Sequence, residues 1–181
     1  MTSKHEYKNV SNFIDAKKGA NPMWSQVQIL SSGVITCSDG LILASIDTDL
    51  CNVTAPTTVL DGAEFLKAMM VDVDAHVRSK SPLTLTVNDE TFETAPTMRA
   101  NCYNIMRLGL LAKNNPTKEE TFGLLASHTA TLGKIKDLKG KPDVVKLSFR
   151  DRILVFEALS SSLSGVVMTN THPEISQGTL L

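Results

Sequence analysis

The stretch Leu83-Thr84-Leu85-Thr86-Val87-Asn88-Asp89-Glu90-Thr91-Phe92-Glu93-Thr94 alternates apolar and polar residues around a polar turn. Leu83, Leu85 and Val87 share one face of an extended chain, because side chains alternate sides with period two. Asn88-Asp89-Glu90 reverses the chain, and Phe92 returns to the apolar side. The pattern predicts an antiparallel hairpin with an apolar inner face. It recurs sixty residues on. There Val145, Leu147 and Phe149 alternate, Arg150-Asp151-Arg152 turns, and Ile153 to Phe156 returns.

A helix is predicted before each hairpin. Leu60-Asp61-Gly62-Ala63-Glu64 opens the first, with Asp61 placed to cap it and Glu64 three residues on. Ala63, Leu66, Met69 and Met70 follow at helical spacing. The second lies within Thr117 to Leu138, interrupted by Gly123 and Gly133. Ala63–Ala95 and Thr129–Ala158 thus match in pattern and length, although hardly in identity. They read as an internal repeat of one supersecondary unit.

Outside these units, Tyr7 to Ala20 reads as a short helix capped by Asn9 or Ser11. Lys17 and Lys18 close it ahead of Gly19. Gln26 to Val53 is strand-rich, and Ser38-Asp39-Gly40 marks a hairpin turn. Asn101 to Ala112 is predicted helical. Val166-Val167-Met168 is a last short strand, followed by a polar tail.

Bulk properties narrow the function classes. Lys+Arg 18 against Asp+Glu 19 leaves a formal net charge of -1. No global field draws this chain onto nucleic acid, so such binding requires lysines gathered on one face. The three cysteines, Cys37, Cys51 and Cys102, form no CxxC pair. A reducing, cytoplasmic setting is expected, without disulfide or zinc scaffold. The N-terminal ten residues hold no apolar run, and no run elsewhere is long enough for a membrane span. The histidines His5, His76, His128 and His172 lack metal-ligand spacing, so no metal or cofactor is expected. Asp47 with Asp49, and Ser127 with His128, are the candidates for acid–base or nucleophilic work. The aspartates, on one strand face, could bind a cation or do acid–base work, whereas Ser127 and His128 need a third group near in space. Aspartates that end a strand and bond backbone in a turn are the commoner reading, sequence neighbours such as Ser127 and His128 seldom make that geometry, and no catalytic residue is assigned.

The order of these elements resembles a domain of the bacterial DNA sliding clamps, the processivity factors of DNA polymerase III. Phe13–Ala20 is similar to the family's first helix. Gly40-Leu41-Ile42-Leu43-Ala44-Ser45-Ile46-Asp47-Thr48-Asp49-Leu50 is similar to its strand ending in Thr-Asp-Leu. Thr58–Leu66 is similar to the entry to its second helix, and Leu83–Thr94 to its hairpin. The resemblance covers roughly residues 7–98, with a weaker echo of a half-domain over 119–170. It implies an α+β fold of repeated helix-plus-hairpin units, with helices on one face of antiparallel sheets. The implied division is a clamp-like domain over 1–98, a partial second unit over 99–172, and a flexible tail over 173–181. About one and a half domains is less than the family's two or three per chain. The form implied is a divergent, shortened clamp, viral or plasmid-borne.

The resemblance also implies a function without bond chemistry. A clamp meets duplex DNA through cations that touch phosphates and read no bases. Lys17, Lys18, Lys67, Arg107, Lys134, Lys136 and Lys139 fall on predicted helices, the elements that line the family's hole. Replication proteins and further copies of the chain are the implied partners. The terminal Gln177-Gly178-Thr179-Leu180-Leu181 resembles the short peptides that dock on clamps, which makes Gln177, Leu180 and Leu181 candidates for partner binding. The alternative is a clamp-fold interaction module that binds or inhibits a partner without encircling DNA. In both readings the two helix–hairpin modules are expected side by side, their sheets joined and their cationic helices sharing a surface.

Overall fold

The computed structural model describes residues 2–14, 22–30, 33–48, 50, 57–71, 78–81, 84–87, 89–96, 126–150 and 153–168. Three α-helices and ten strands are present among them. The helices are α1 (Lys4–Ser11), α2 (Gly62–Val71) and α3 (Ala126–Leu132). The strands are β1 (Val27–Ile29), β2 (Ile35–Ser38), β3 (Ile42–Ile46), β4 (Thr57–Val59), β5 (Arg78–Ser81), β6 (Thr84–Val87), β7 (Glu90–Pro96), β8 (Val145–Arg150), β9 (Ile153–Ala158) and β10 (Ser164–Met168). They form one antiparallel sheet in the order β5-β6-β7-β4-β1-β2-β3-β10-β9-β8. The protein is therefore α+β.

Both hairpins form as the alternation predicts. Val87 pairs with Glu90, and Arg150 pairs with Ile153, so each loop has two residues. Asp89 takes the left-handed conformation (φ 69°), which aspartate tolerates better than most residues and tight hairpin loops require. Between β2 and β3 the Asp39 carboxylate accepts the N–H groups of Leu41 and Ile42, closing the Asp-Gly turn.

The hairpins lie toward opposite ends of the sheet, with five strands between β7 and β9. The sequence reading expects the two units side by side with their sheets joined; the sheets do join into one, but the units are not neighbours in it. Tertiary pairing separates them because β10 pairs with both β3 and β9. The C-terminal strands thereby extend the sheet from its middle.

One face of the sheet carries the core. Ile42, Ala44 and Ile46 of β3, Leu154 and Phe156 of β9, and Val167 of β10 point to the side where the helices pack. Tyr7 and Val10 of α1, Phe65, Leu66 and Met69 of α2, and Leu132 of α3 join the same cluster. Helix α1 packs directly against α2. Phe13, just beyond α1, stacks on Phe156 with ring centroids 5.6 Å apart.

Helix α1 starts earlier than its sequence suggested. Ser3, not Asn9 or Ser11, is its cap. The Ser3 side chain accepts the Glu6 N–H, and the Glu6 carboxylate accepts the Ser3 N–H at 2.8 Å. This reciprocal capping box satisfies two donors that the helix start leaves open. Asp61 caps α2 as expected, accepting the Glu64 N–H. The buried face of α2 runs through Phe65, Leu66, Ala68 and Met69, while Ala63 and Met70 are only half-buried. The predicted helix at 101–112 lies outside the described residues.

Candidate nucleic-acid interface

Helix α3 ends at Leu132, and Gly133 opens a twelve-residue connection into β8, which starts at Val145. Ile135 anchors this connection, its side chain buried in the core beside Leu132. Its lysines flank that anchor. Lys134 is exposed and Lys136 half-buried. Asp137 then builds a turn: its carboxylate accepts the N–H groups of Lys139 at 2.9 Å and Lys141 at 2.7 Å. Its own N–H donates to the Lys141 carbonyl, and Gly140 adopts φ +79° at the corner. The Lys141 N–H holds the Asp137 carboxyl below the usual carboxylate range. Partial desolvation opposes the effect, and the Lys139 N–H and the two ammonium charges reinforce it. The turn projects Lys139 and Lys141 outward.

Two contacts fasten this turn to α1. The Asn9 side chain, fully buried, bonds the Lys136 backbone in both directions. The His5 ring lies against Gly140, where an added Cβ would meet Cε1 at 3.0 Å. His5 and Asn9 are four residues apart and share one stripe of α1. Lys4 and Lys8 stand one position from that stripe, both exposed. The packing thus fastens the helix that carries Lys4 and Lys8 to the connection that carries Lys134, Lys136, Lys139 and Lys141.

The carboxylates of α1 and of this connection accept from neutral donors. Glu6 faces inward and accepts the Ser162 N–H and hydroxyl. Asp137 serves its turn, and Asp143 accepts the N–H and hydroxyl of Ser160. Among the described residues none of the six lysines forms an ion pair. Across α1 and the connection the six lysines outnumber the three carboxylates Glu6, Asp137 and Asp143, although the whole chain is close to neutral.

Of the seven cations expected on helices, four are among the described residues, and of these four only Lys67 lies on a helix. Lys134, Lys136 and Lys139 lie in the connection after α3. Gly133 ends the helix, and the pull of Ile135 into the core sets a different path. Lys67 is exposed on α2 and paired with Glu64 one turn away. That hydrogen bond and the Glu64 charge raise the Lys67 pKa. Lys17, Lys18 and Arg107 lie outside the described residues, as do Gln177, Leu180 and Leu181. Lys4, Lys8 and Lys141 were missed by the sequence reading. The Ser3-x-x-Glu6 capping signal, read fully, would have placed Lys4 and Lys8 on a helix.

The candidate chemical residues do not converge. Ser127 is exposed and His128 buried, so they occupy different faces of α3. Among the described residues neither ring nitrogen of His128 has a hydrogen-bond partner. The Asp47 side chain is exposed, its backbone N–H bonded to the Ser162 hydroxyl, and Asp49 lies outside the described residues. Among the described residues there is no cluster of three or more acidic, histidine or cysteine side chains able to hold a metal. No described helix is long and apolar enough to cross a membrane.

A continuous antiparallel sheet with its described helices on one face defines a class: this is the fold of the DNA sliding clamps. The particular likenesses are to bacterial members. A putative DNA polymerase III beta subunit from Eubacterium rectale superposes with a TM-score of 0.63 at 9% identity, covering 96% of this chain and 65% of that one. The DNA polymerase sliding clamp from Bacillus subtilis gives 0.57 at 9% identity, covering 98% and 66%. The Helicobacter pylori beta clamp, solved with a DNA ligase peptide, gives 0.55 at 10% identity, covering 98% and 68%. The chain thus spans about two thirds of the length of the clamps it resembles. No family model matches the sequence, and no curated protein does.

Proposed function

We propose that this chain is a clamp-like scaffold that rides on duplex DNA without reading its sequence and without bond chemistry, serving processivity or assembly in replication. The observation that carries this reading is the cationic surface of α1 and the 133–141 connection, on a fold shared with sliding clamps. Free ammonium groups on flexible stems suit phosphate contacts that exchange rapidly, as sliding demands. Encircling DNA requires more than one copy of the chain, and a homo-oligomer is part of the proposal. Lys17, Lys18, Arg107 and Lys67 are further proposed contacts. Gln177, Leu180 and Leu181 are proposed to dock on a partner replication protein.

The test is duplex binding by fluorescence anisotropy across a salt series, with mass by light scattering. Counterion release makes the logarithm of affinity fall by roughly 0.9 per phosphate contact for each tenfold rise in salt. Replacing Lys4, Lys8, Lys139 and Lys141 by alanine is expected to flatten that slope. Binding that ignores both salt and these replacements overturns the proposal, and a strict monomer overturns encirclement.

A second reading, a clamp-fold interaction module that binds a protein and not DNA, is favoured by one feature. Val144 and Leu159, joined by a backbone hydrogen bond, are 65% and 63% exposed beside the edge strand β8. Apolar side chains so placed at a sheet edge suit a protein partner.

A further inference from the structure

We propose that a groove beside the start of α2 docks a short basic peptide with an apolar anchor, contributed by a partner protein. The groove, of about 590 Å³, runs between Ser25 of the 3-10 turn Pro22–Ser25, the β4–α2 junction and β7. Leu60, Ala63 and Phe92 supply its apolar lining, and Asp61 and Glu93 stand on its rim. Its volume lies within the range of clefts that take a small-molecule-sized group.

The walls are preformed. The Leu60 N–H donates to the Glu93 carbonyl at 3.1 Å and ties the two sides together. Phe92 is held edge-on against Phe65, with ring centroids 5.7 Å apart, so the floor does not need to rearrange on binding. Ala63 leaves space that any larger side chain would fill. Leu60 is 38% exposed, an apolar wall open to an incoming side chain.

Charge selects the occupant. Asp61 and Glu93 flank the groove, Glu64 stands one turn further along α2, and Asp89 and Glu90 lie further along the same hairpin. Residues 57–66 and 84–96 contain no lysine or arginine. The nearest cation along the chain, Lys67, is occupied by Glu64. Nucleic-acid phosphates and anionic lipid are repelled from such a rim, whereas a peptide with lysines around an apolar residue meets both lining and charge. The groove shares no residue with the cationic surface of α1 and the 133–141 connection, so this proposal stands or falls apart from the DNA reading.

The test uses the full chain and a labelled synthetic peptide carrying two leucines between pairs of lysines. Control peptides exchange lysine for glutamate or leucine for serine. Anisotropy is expected to show binding of the first peptide alone, weakening as salt rises. Ala63→Trp, which fills the groove, is expected to weaken binding about tenfold and to leave duplex binding unchanged. The double variant Asp61→Asn with Glu93→Gln keeps the helix cap and the fold, and is expected to weaken binding about three- to tenfold, as two rim pairs would. Failure of the basic peptide to bind overturns the proposal. So does equal binding of the serine or glutamate controls, or binding indifferent to both variants. Concentration-dependent self-association that Ala63→Trp abolishes also overturns it, because the occupant would then be a second copy.

Discussion

Asn9 and Lys136 exchange two hydrogen bonds across 127 residues of chain: Nδ2 donates to the Lys136 carbonyl at 2.7 Å, and the Lys136 N–H donates to Oδ1 at 2.9 Å. A side-chain amide here stands in for a strand neighbour. It joins α1 to the connection that carries four lysines, and through α1 to α2. Asn9→Ala leaves both Lys136 backbone groups unpaired and opens a void, which is expected to cost about 2–4 kcal/mol. Chemical denaturation measures the loss. Hydrogen exchange at the Lys136 amide is expected to accelerate in the same variant.

Glu6 accepts from Ser3 N–H on one oxygen and from the Ser162 N–H and hydroxyl on the other. It joins the start of α1 to the β9–β10 turn. Glu6→Gln keeps the size but replaces one acceptor oxygen with an amide that faces donors. A loss of about 1–3 kcal/mol is expected. A Ser162→Ala change should recover part of the loss in the double variant, read as coupling in a double-mutant cycle.

Gly165 tests how closely β10, β3 and β9 approach. A Cβ there would stand 2.1 Å from the Leu43 carbonyl oxygen and 2.5 Å from the Phe156 ring. Gly165→Ala must push apart the central strands or the Phe13–Phe156 stack, at a cost of about 1–3 kcal/mol or more. A fall in thermal midpoint with an altered near-ultraviolet spectrum is the expected readout.

Asp137 links the lysine turn to pH. Its carboxyl is held below the ordinary 3.8, chiefly by the Lys141 N–H. A depressed folded pKa means that the folded state binds the proton less readily than the unfolded chain does. The stabilisation is complete above the unfolded pKa and is lost as pH falls from that value through the folded one. Near neutral pH the turn is therefore intact. Asp137→Asn is expected to remove this acid-dependent component, seen by comparing denaturation midpoints of the two proteins at neutral and strongly acidic pH.

Lys67 and Lys8 should contribute unequally to duplex binding. Lys67 spends its charge on Glu64, whereas Lys8 has no carboxylate partner among the described residues. Lys8→Ala is expected to reduce the salt slope by close to one, the effect of one phosphate contact. Lys67→Ala should change it less, and Glu64→Gln should strengthen binding by freeing Lys67.

Local pattern carried most of the element assignments. Alternation at Leu85-Thr86-Val87 and a two-residue polar loop specify the first hairpin, because its one buried face forces one register; in the second, Leu147 is exposed, and the short loop rather than burial sets the pairing. Asp61 at the start of α2 was equally legible, since a helix cap is a contact between residues three apart. The start of α1 was also written locally, in Ser3 and Glu6, but the lysines and glycine near residue 18 drew attention past it. The cationic site was legible only in part. Lys134, Lys136 and Lys139 stand close together in the chain, yet nothing local brings Lys4 and Lys8 to them.

What the sequence determined by itself is therefore the kind of each element and the polarity of its faces, since these depend on neighbours two to four residues apart. What only the tertiary structure decided is the insertion of β10 between β3 and β9, the separation of the two hairpins, and the meeting of α1 with the lysine turn. Each of these depends on pairs more than a hundred residues apart, such as Asn9 with Lys136 or Leu43 with Val166, whose attraction is the general one of apolar burial and backbone pairing. Such forces name no partner in advance. The partner is chosen when the whole core closes.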